Sequence, residues 1–371
     1  LCELKPDSWE LCFPAPADVL AVRLRDSETR RVVPLRPELL AEGSGCNLPT
    51  ASLDPVVPPP ALDFTAKPES VPTFWSQTMM ERWLASGRSI ASGSETEVAA
   101  CLERVLEKKE THGEWSTHFL DAPLKVERTH VAMNYSTGAG EDGMLFQTTG
   151  LDLDGLPLAA DRNEPAGNCR RVPIRLECRV HASNDYARHL DKLDMWHPLG
   201  GERRIAHWNT NVSTGEGNNQ GGWEQPGPEL SKAIDAIEPT DDATPQHGIR
   251  LVLATPALFA SGWHPGWLKE TDKGLVGTPP GTDCSVKLVG ACVNRWQPVS
   301  GWSLDTSNGR IPGPKPVRRL VPAGSVYFFQ LLSTGTEKLC TQWLQSVCDE
   351  EQDRRDGFGL SLWGVWQRHA N

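Results

Sequence analysis

The chain contains no C-x-x-C pair and only three tyrosines in 371 residues. No apolar run approaches the roughly 18 residues that a membrane helix needs. H-E-x-x-H, G-x-S-x-G and the Walker-type G-x-x-x-x-G-K-S/T are also missing. Zincin, hydrolase-elbow and P-loop chemistry therefore lose their usual sequence support. The ten cysteines stand at irregular spacings. That disfavours structural zinc and a secreted disulfide scaffold, whereas free, mostly buried thiols in a reducing cytosol fit better. No charged-then-apolar leader opens the chain. It begins at Leu1 rather than Met, so an N-terminal portion is expected beyond it.

The balance of charge is acidic, with a net −11, which argues against a nonspecific nucleic-acid coat. A local cationic groove stays open, because phosphates respond to charge within a Debye length of roughly 8 Å. The basic residues are in fact uneven. Residues 295–319 hold Arg295, Arg310, Lys315, Arg318 and Arg319 against Asp305 alone, and basic residues also exceed acidic ones across 170–204. Carboxylates cluster at Asp241–Asp242 and at 349–351, each in a polar stretch that reads as a solvated loop.

The remaining composition, 38% hydrophobic and 23% charged with mean hydropathy −0.41, is that of a globular protein. Its length exceeds one small core, so two domains are expected. Thirty prolines and 33 glycines imply many turns and long loops. "TFWSQTMMERWLASG" predicts a helix with Phe74, Met79, Trp83 and Leu84 on one side. Ser94-x-x-Glu97 predicts a capping box opening a second helix, with Val98, Leu102, Val105 and Leu106 on one stripe. "VERTHVAMNYSTG", "GMLFQTTGLDL" and "RRVPIRLECRVH" read as strands, and the Gly/Asn-rich residues 209–228 as a connection. Beyond a helix near 230–237, the order is strand, strand, strand, helix ("TEKLCTQWLQSV"), strand. That pattern suggests an α+β sheet of the ferredoxin-like kind.

Single residues carry less. Alternation puts Arg128 and His130 on one face of a strand, and His247 precedes another. A metal-free ribonuclease has use for such a histidine as general base, but a lone strand histidine is more often a packing residue. Gly357 and Gly359, beside Arg354 and Arg355, stand where small residues let main-chain N–H groups approach an anion. A tight turn before the final strand is the plainer reading of that motif.

Several stretches in order are more specific: "RTHVAMNYSTGAGEDGMLFQTTGL", "LGGERRIAHW", "GIRLVLATPALFASGWHPGW", "VKLVGACVNRWQPVSGWSL", "PKPVRRLVPAGSVYFFQL" and "DGFGLSLWGVW", with "FPAPADVL" near the start. Together they resemble the third subunit of Cmr-type (type III-B) CRISPR effector complexes, a RAMP-superfamily group that caps the crRNA 5′ end. The resemblance runs from about Phe13 onward.

It implies two ferredoxin-like (RRM-like) RAMP units with long loops. The first, 1–208, carries a helical insertion; residues 209–228 connect it to the second, 229–371, which holds the glycine loop. The family's usual opening, a P-x-D-x-L-x-F-R-D-like strand with its helix, is not recognised, so the first unit is expected to be incomplete at its start.

The implied partners are the crRNA 5′ handle, the large Cas-ten-type subunit and a backbone RAMP subunit, with target RNA met indirectly and no membrane. No cofactor, metal or catalytic residue is implied. Carried over by position, the RNA-contacting residues are Arg128 and His130; Gly200, Gly201, Arg203 and Arg204; Lys315, Arg318 and Arg319; and Gly357 and Gly359. Arginine suits such contacts because its planar fork grips phosphate and stacks on bases. Trp263, Trp267 and Trp302 read as packing or protein-contact residues. Two alternatives to a non-catalytic handle-binding subunit are a metal-independent RAMP endoribonuclease acting through His130, and an RNA-free assembly scaffold.

Overall fold

The computed structural model describes the chain except residues 7, 26–28, 40–52, 61, 63–65, 86–93, 109–114, 166, 179, 181–192, 200–203, 210–224, 305, 307–310 and 370–371. The architecture is α+β and rich in sheet.

Its centre is a six-stranded sheet in the second half, whose inner strands are strongly apolar and whose edge strand Lys269–Thr271 is polar and exposed. In spatial order the strands are Lys269–Thr271, Gly274–Gly277, Val286–Cys292, Val326–Leu331, His247–Leu253 and Ser361–Gln367. Every neighbouring pair is antiparallel. All six residues of Val326–Leu331 are buried, and its one amide, Gln330, is satisfied by the Thr240 and Asp242 carbonyls at 3.0 and 2.8 Å.

The first half shares this core. Phe13, Met80 and Leu84 pack in one cluster with Ile249, Phe328 and Trp366. The helix Gln77–Ala85 approaches the last strand so closely that a Cβ on Gly364 would lie 2.7 Å from the Leu84 carbonyl oxygen. Buried Arg368 adds a polar tie, donating to the Pro37 carbonyl at 2.6 Å and pairing with Asp54 at 2.5 Å.

Deeper still lies a charged knot. The Asp18 carboxylate accepts from Trp83 Nε1 at 3.0 Å, from Arg36 at 3.0 Å and from Arg250. All three charged side chains are at most 1% exposed. The guanidiniums lie near the rings of Phe328 and Trp83, which adds cation–π attraction in a desolvated site.

Three elements differ from the sequence pattern. The helix expected from Phe74 starts at Gln77, because Phe74–Ser76 instead joins a sheet between Cys12–Pro14 and Phe119–Leu120. Fully buried Trp75 packs edge-on against Trp83 and Phe119, and that burial outweighs local helix preference. Among its described residues "RRVPIRLECRVH" forms the two-residue strand Arg171–Val172 and a single bridge at Ile174, and Leu176 and Val180 are exposed. "TEKLCTQWLQSV" is helical only over Glu337–Thr341. Leu344 then turns at φ 54°, and its N–H donates to the Ser361 carbonyl at 2.8 Å.

The second helix is found at Ser94–Leu106, with Val98, Leu102 and Val105 buried; its predicted capping side chain, Ser94, lies outside the described residues. None of the nine described cysteines is in a disulfide, and burial pushes the Cys292 thiol up to about 12.

Three of the smaller two-stranded ribbons bear on function: Lys125–Met133 with Gly140–Leu151, Asp194–Leu199 with Arg204–Asn209, and Gln297–Val299 with Arg318–Leu320. The third is extended by Trp302–Ser303 with Gly313–Pro314. Leu145, Trp196, Ile205 and Ile311 are exposed on them. No described helix is long and apolar enough to cross a membrane.

Candidate nucleic-acid interface

On the first ribbon the register pairs Arg128 with Thr148 and His130 with Phe146, so all four share one face. His130 Nε2 lies 2.8 Å from Thr148 Oγ1. Its ring stacks on Phe146 at 5.3 Å between centroids and 17° between planes. Phe146 is 52% exposed. Arg128 is exposed and has no ion-pair partner among the described residues. Two predicted residues are thus brought together, and an unpredicted ring joins them.

Gly200, Gly201 and Arg203 lie outside the described residues, as does the Arg204 side chain; the Arg204 backbone pairs with Leu199 in the second ribbon. Beside them is a second stack that sequence reasoning missed. Trp196 lies on His207 at 4.8 Å and 21°, and His207 Nε2 meets Asp194 Oδ1 at 2.6 Å. The available signal was an apolar, aromatic-rich alternation ("DMWHPL") with no core-forming partner in sequence.

In the third ribbon the three predicted cations divide. Arg318 pairs with Asp353 at 2.5 Å, and that carboxylate is 5% exposed. Arg318 thereby braces the ribbon against the helix Glu351–Arg355. Exposed Lys315 and Arg319 have no carboxylate partner among the described residues. The Arg319 guanidinium lies 4.9 Å from the Trp296 ring centroid. Arg128 is not on this ribbon, so the predicted residues occupy separate arms rather than one strand or loop.

The glycine loop corrects an expectation. Gly357 and Gly359 adopt φ of 82° and 69°, conformations that favour glycine. Their N–H groups are not free donors: Gly357 donates to the Arg354 carbonyl at 3.2 Å and Gly359 to that of Pro256 at 2.8 Å. A helix ending directly before a core strand must close its backbone bonds internally. The Thr255 hydroxyl donates to the Gly357 carbonyl at 2.8 Å and accepts from the Leu360 N–H at 2.9 Å. A Cβ on Gly359 would meet Cys348 Sγ at 2.6 Å.

Possible catalytic sets are thin. His130 contacts Thr148 and Phe146, and among the described residues no second acid or base touches it. Ser76 and His118 form a pair at 2.7 Å, but both are buried away from solvent. No cluster of three metal-ligating side chains occurs among the described residues.

A sequence model of the family CRISPR-associated protein (Cas_Cmr3) matches residues 1–366. The chain belongs to the Cas_Cmr3 family. Among solved structures, the Cas_Cmr3 chain is similar to a chain of the "Cryo-EM structure of the Type III-B Cmr-beta bound to cognate target RNA". Identity is 9% and TM-score 0.31, over 69% of this chain and 57% of that one. The chain thus spans little more than half the length of that relative. No curated protein matches it.

Proposed function

We propose that this Cas_Cmr3 chain is a non-catalytic subunit of a type III CRISPR effector complex, holding the crRNA 5′ handle and bridging the large subunit to the backbone filament in the cytoplasm. The observation that carries this reading is the face shared by unpaired Arg128, His130 and outward-facing Phe146 on a ribbon free of the core. A cation beside an exposed ring is what single-stranded RNA needs: charge for phosphate and a flat surface for a base. Arg319 repeats the pairing with Trp296, the residue before the strand Gln297–Val299 of the third ribbon.

The architecture supports the reading at the level of the second unit. The strands Val286–Cys292, Val326–Leu331, His247–Leu253 and Ser361–Gln367 take the 2-3-1-4 antiparallel order of a ferredoxin-like sheet. A first unit over 1–208, joined through 209–228, is part of the same proposal. Exposed Tyr135, Leu145, Ile205 and Ile311 favour the protein contacts of a bridging subunit.

Nuclease protection of repeat-derived RNA by the assembled complex tests the proposal. Arg128→Glu together with Arg319→Glu should abolish handle protection while the chain stays folded. Unchanged protection would reject the assigned face. Cleavage of repeat RNA by the purified chain, lost in His130→Ala, would instead establish the endoribonuclease reading.

A further inference from the structure

Beside the glycine loop the surface opens into a cleft of about 400 Å³, within the roughly 300–1,000 Å³ of small-ligand sites. Trp267, Leu268, Lys269, Pro280, Asp349 and Arg354 line it. Its shape is held by Asp349, whose two carboxylate oxygens accept the N–H groups of Ala260 and Gly266, each at 2.7 Å. A Cβ on Gly266 would collide with that carboxylate at 2.4 Å, so the loop closes onto it only with glycine there. Trp267 backs onto the sheet, 5.9 Å from the Phe329 ring.

The cations of the cleft are prepared but unused. Arg354 Nη1 is fastened to the carbonyls of Cys348 and Asp349 at 2.8 and 2.9 Å. Its Nε and Nη2 have no acceptor among the described residues, and Lys269 has no partner there at all. A guanidinium clamped at one nitrogen keeps its fork oriented for an anion. The same cleft is lined by an indole, an apolar wall and a carboxylate whose oxygens each retain acceptor capacity. A nucleotide offers the complementary set: a phosphate, a planar ring, and N–H donors on the base edge.

We infer that this cleft holds one nucleotide of the bound RNA, with phosphate on Lys269 and Arg354 and the base against Trp267. The inference rests on the RNA-binding reading above. Continuity favours an RNA residue over a free nucleotide. Asp353 braces Arg318 at the root of the third ribbon, and its neighbour Arg354 lines the cleft on the same short helix. A strand following that ribbon is thereby led to the cleft.

The test uses the full chain and single-stranded RNAs of about eight nucleotides, within the site sizes of single-strand binders, each carrying one 4-thiouridine. Light should crosslink one labelled position to the peptide containing Trp267. Millimolar nucleoside 5′-monophosphates should leave that crosslink largely intact. Lys269→Ala should weaken binding severalfold and reduce the salt slope by about 0.7, the value of one single-strand phosphate contact.

RNA that binds and crosslinks only to the ribbons overturns the inference and leaves the RNA-binding reading standing. Crosslinking abolished by monophosphates, with RNA affinity unchanged, overturns it in favour of a free-nucleotide site. Absence of any RNA binding removes both.

Discussion

Asp18 and Arg250, 232 positions apart in the chain, form a fully buried ion pair on which Arg36 and Trp83 also converge. One carboxylate thus ties the turn before the strand Val19–Arg23 to the strand His247–Leu253 of the central sheet. Asp18→Ala removes the carboxylate that both buried guanidiniums share. Removing one partner of a buried pair costs about 3–5 kcal/mol. Urea unfolding of the purified variant should show that loss, and a change below 1 kcal/mol would mean that the two guanidiniums find other acceptors.

The glycine loop supplies a comparison between two neighbours. Gly357→Ala carries only the left-handed backbone cost of about 1–2 kcal/mol, since nothing lies within 4 Å of its new Cβ. Gly359→Ala adds a collision with Cys348 Sγ and should be the more destabilising by calorimetry. Equal effects would show that the loop relaxes around both.

Arg318 and Arg319 are adjacent yet differently employed. Arg319→Ala should lower RNA affinity and reduce the salt slope by about 0.7, with stability changed by less than about 0.5 kcal/mol as for an ordinary surface site. Asp353→Asn should act the opposite way, loosening the ribbon's root and lowering the melting temperature, because it leaves Arg318 without its charge partner. Filter binding across salt concentrations and a melting curve separate the two.

Phe146→Ala and Trp196→Ala remove exposed rings whose only described ring partners are His130 and His207. Each should leave the fold intact. On the RNA-binding reading each weakens RNA binding by about 1–3 kcal/mol, the value of one stacked base. Fluorescence anisotropy with a labelled repeat RNA measures it.

The first ribbon is anchored at both ends of its root. Asp121 takes two bonds from Arg162, and Asp152 takes one from Arg171 at 2.6 Å. The Arg171 hydrogen bond holds the Asp152 carboxyl below its ordinary 3.8. A depressed folded value means that its contribution is complete above that ordinary value and lost as pH falls through the lowered one. Amide exchange at the ribbon root should therefore be insensitive to ionisation between pH 5 and 8, after correction for intrinsic rates, and should accelerate only below about pH 4.

Much of this molecule follows from local pattern. The runs "GIRLVL", "SVKLVGACV", "GSVYFFQLL" and "GLSLWGVW" determine buried strands, because such apolar sequences gain most by complete coverage. The stripe Val98, Leu102, Val105 determines a helix, and period two places Arg128 and His130 together. Irregular cysteine spacing determines free thiols. Tertiary structure decided what depends on partners remote in sequence. Trp75 is a strand residue because Trp83 and Phe119 enclose it; Arg318 is a brace because Asp353 is buried beside it. The N–H groups of Gly357 and Gly359 are occupied because Arg354 and Pro256 present their carbonyls. Charge and hydrogen-bonding capacity are written in the residues themselves, but whether either remains available to a ligand depends on which other groups the fold brings within about 3 Å.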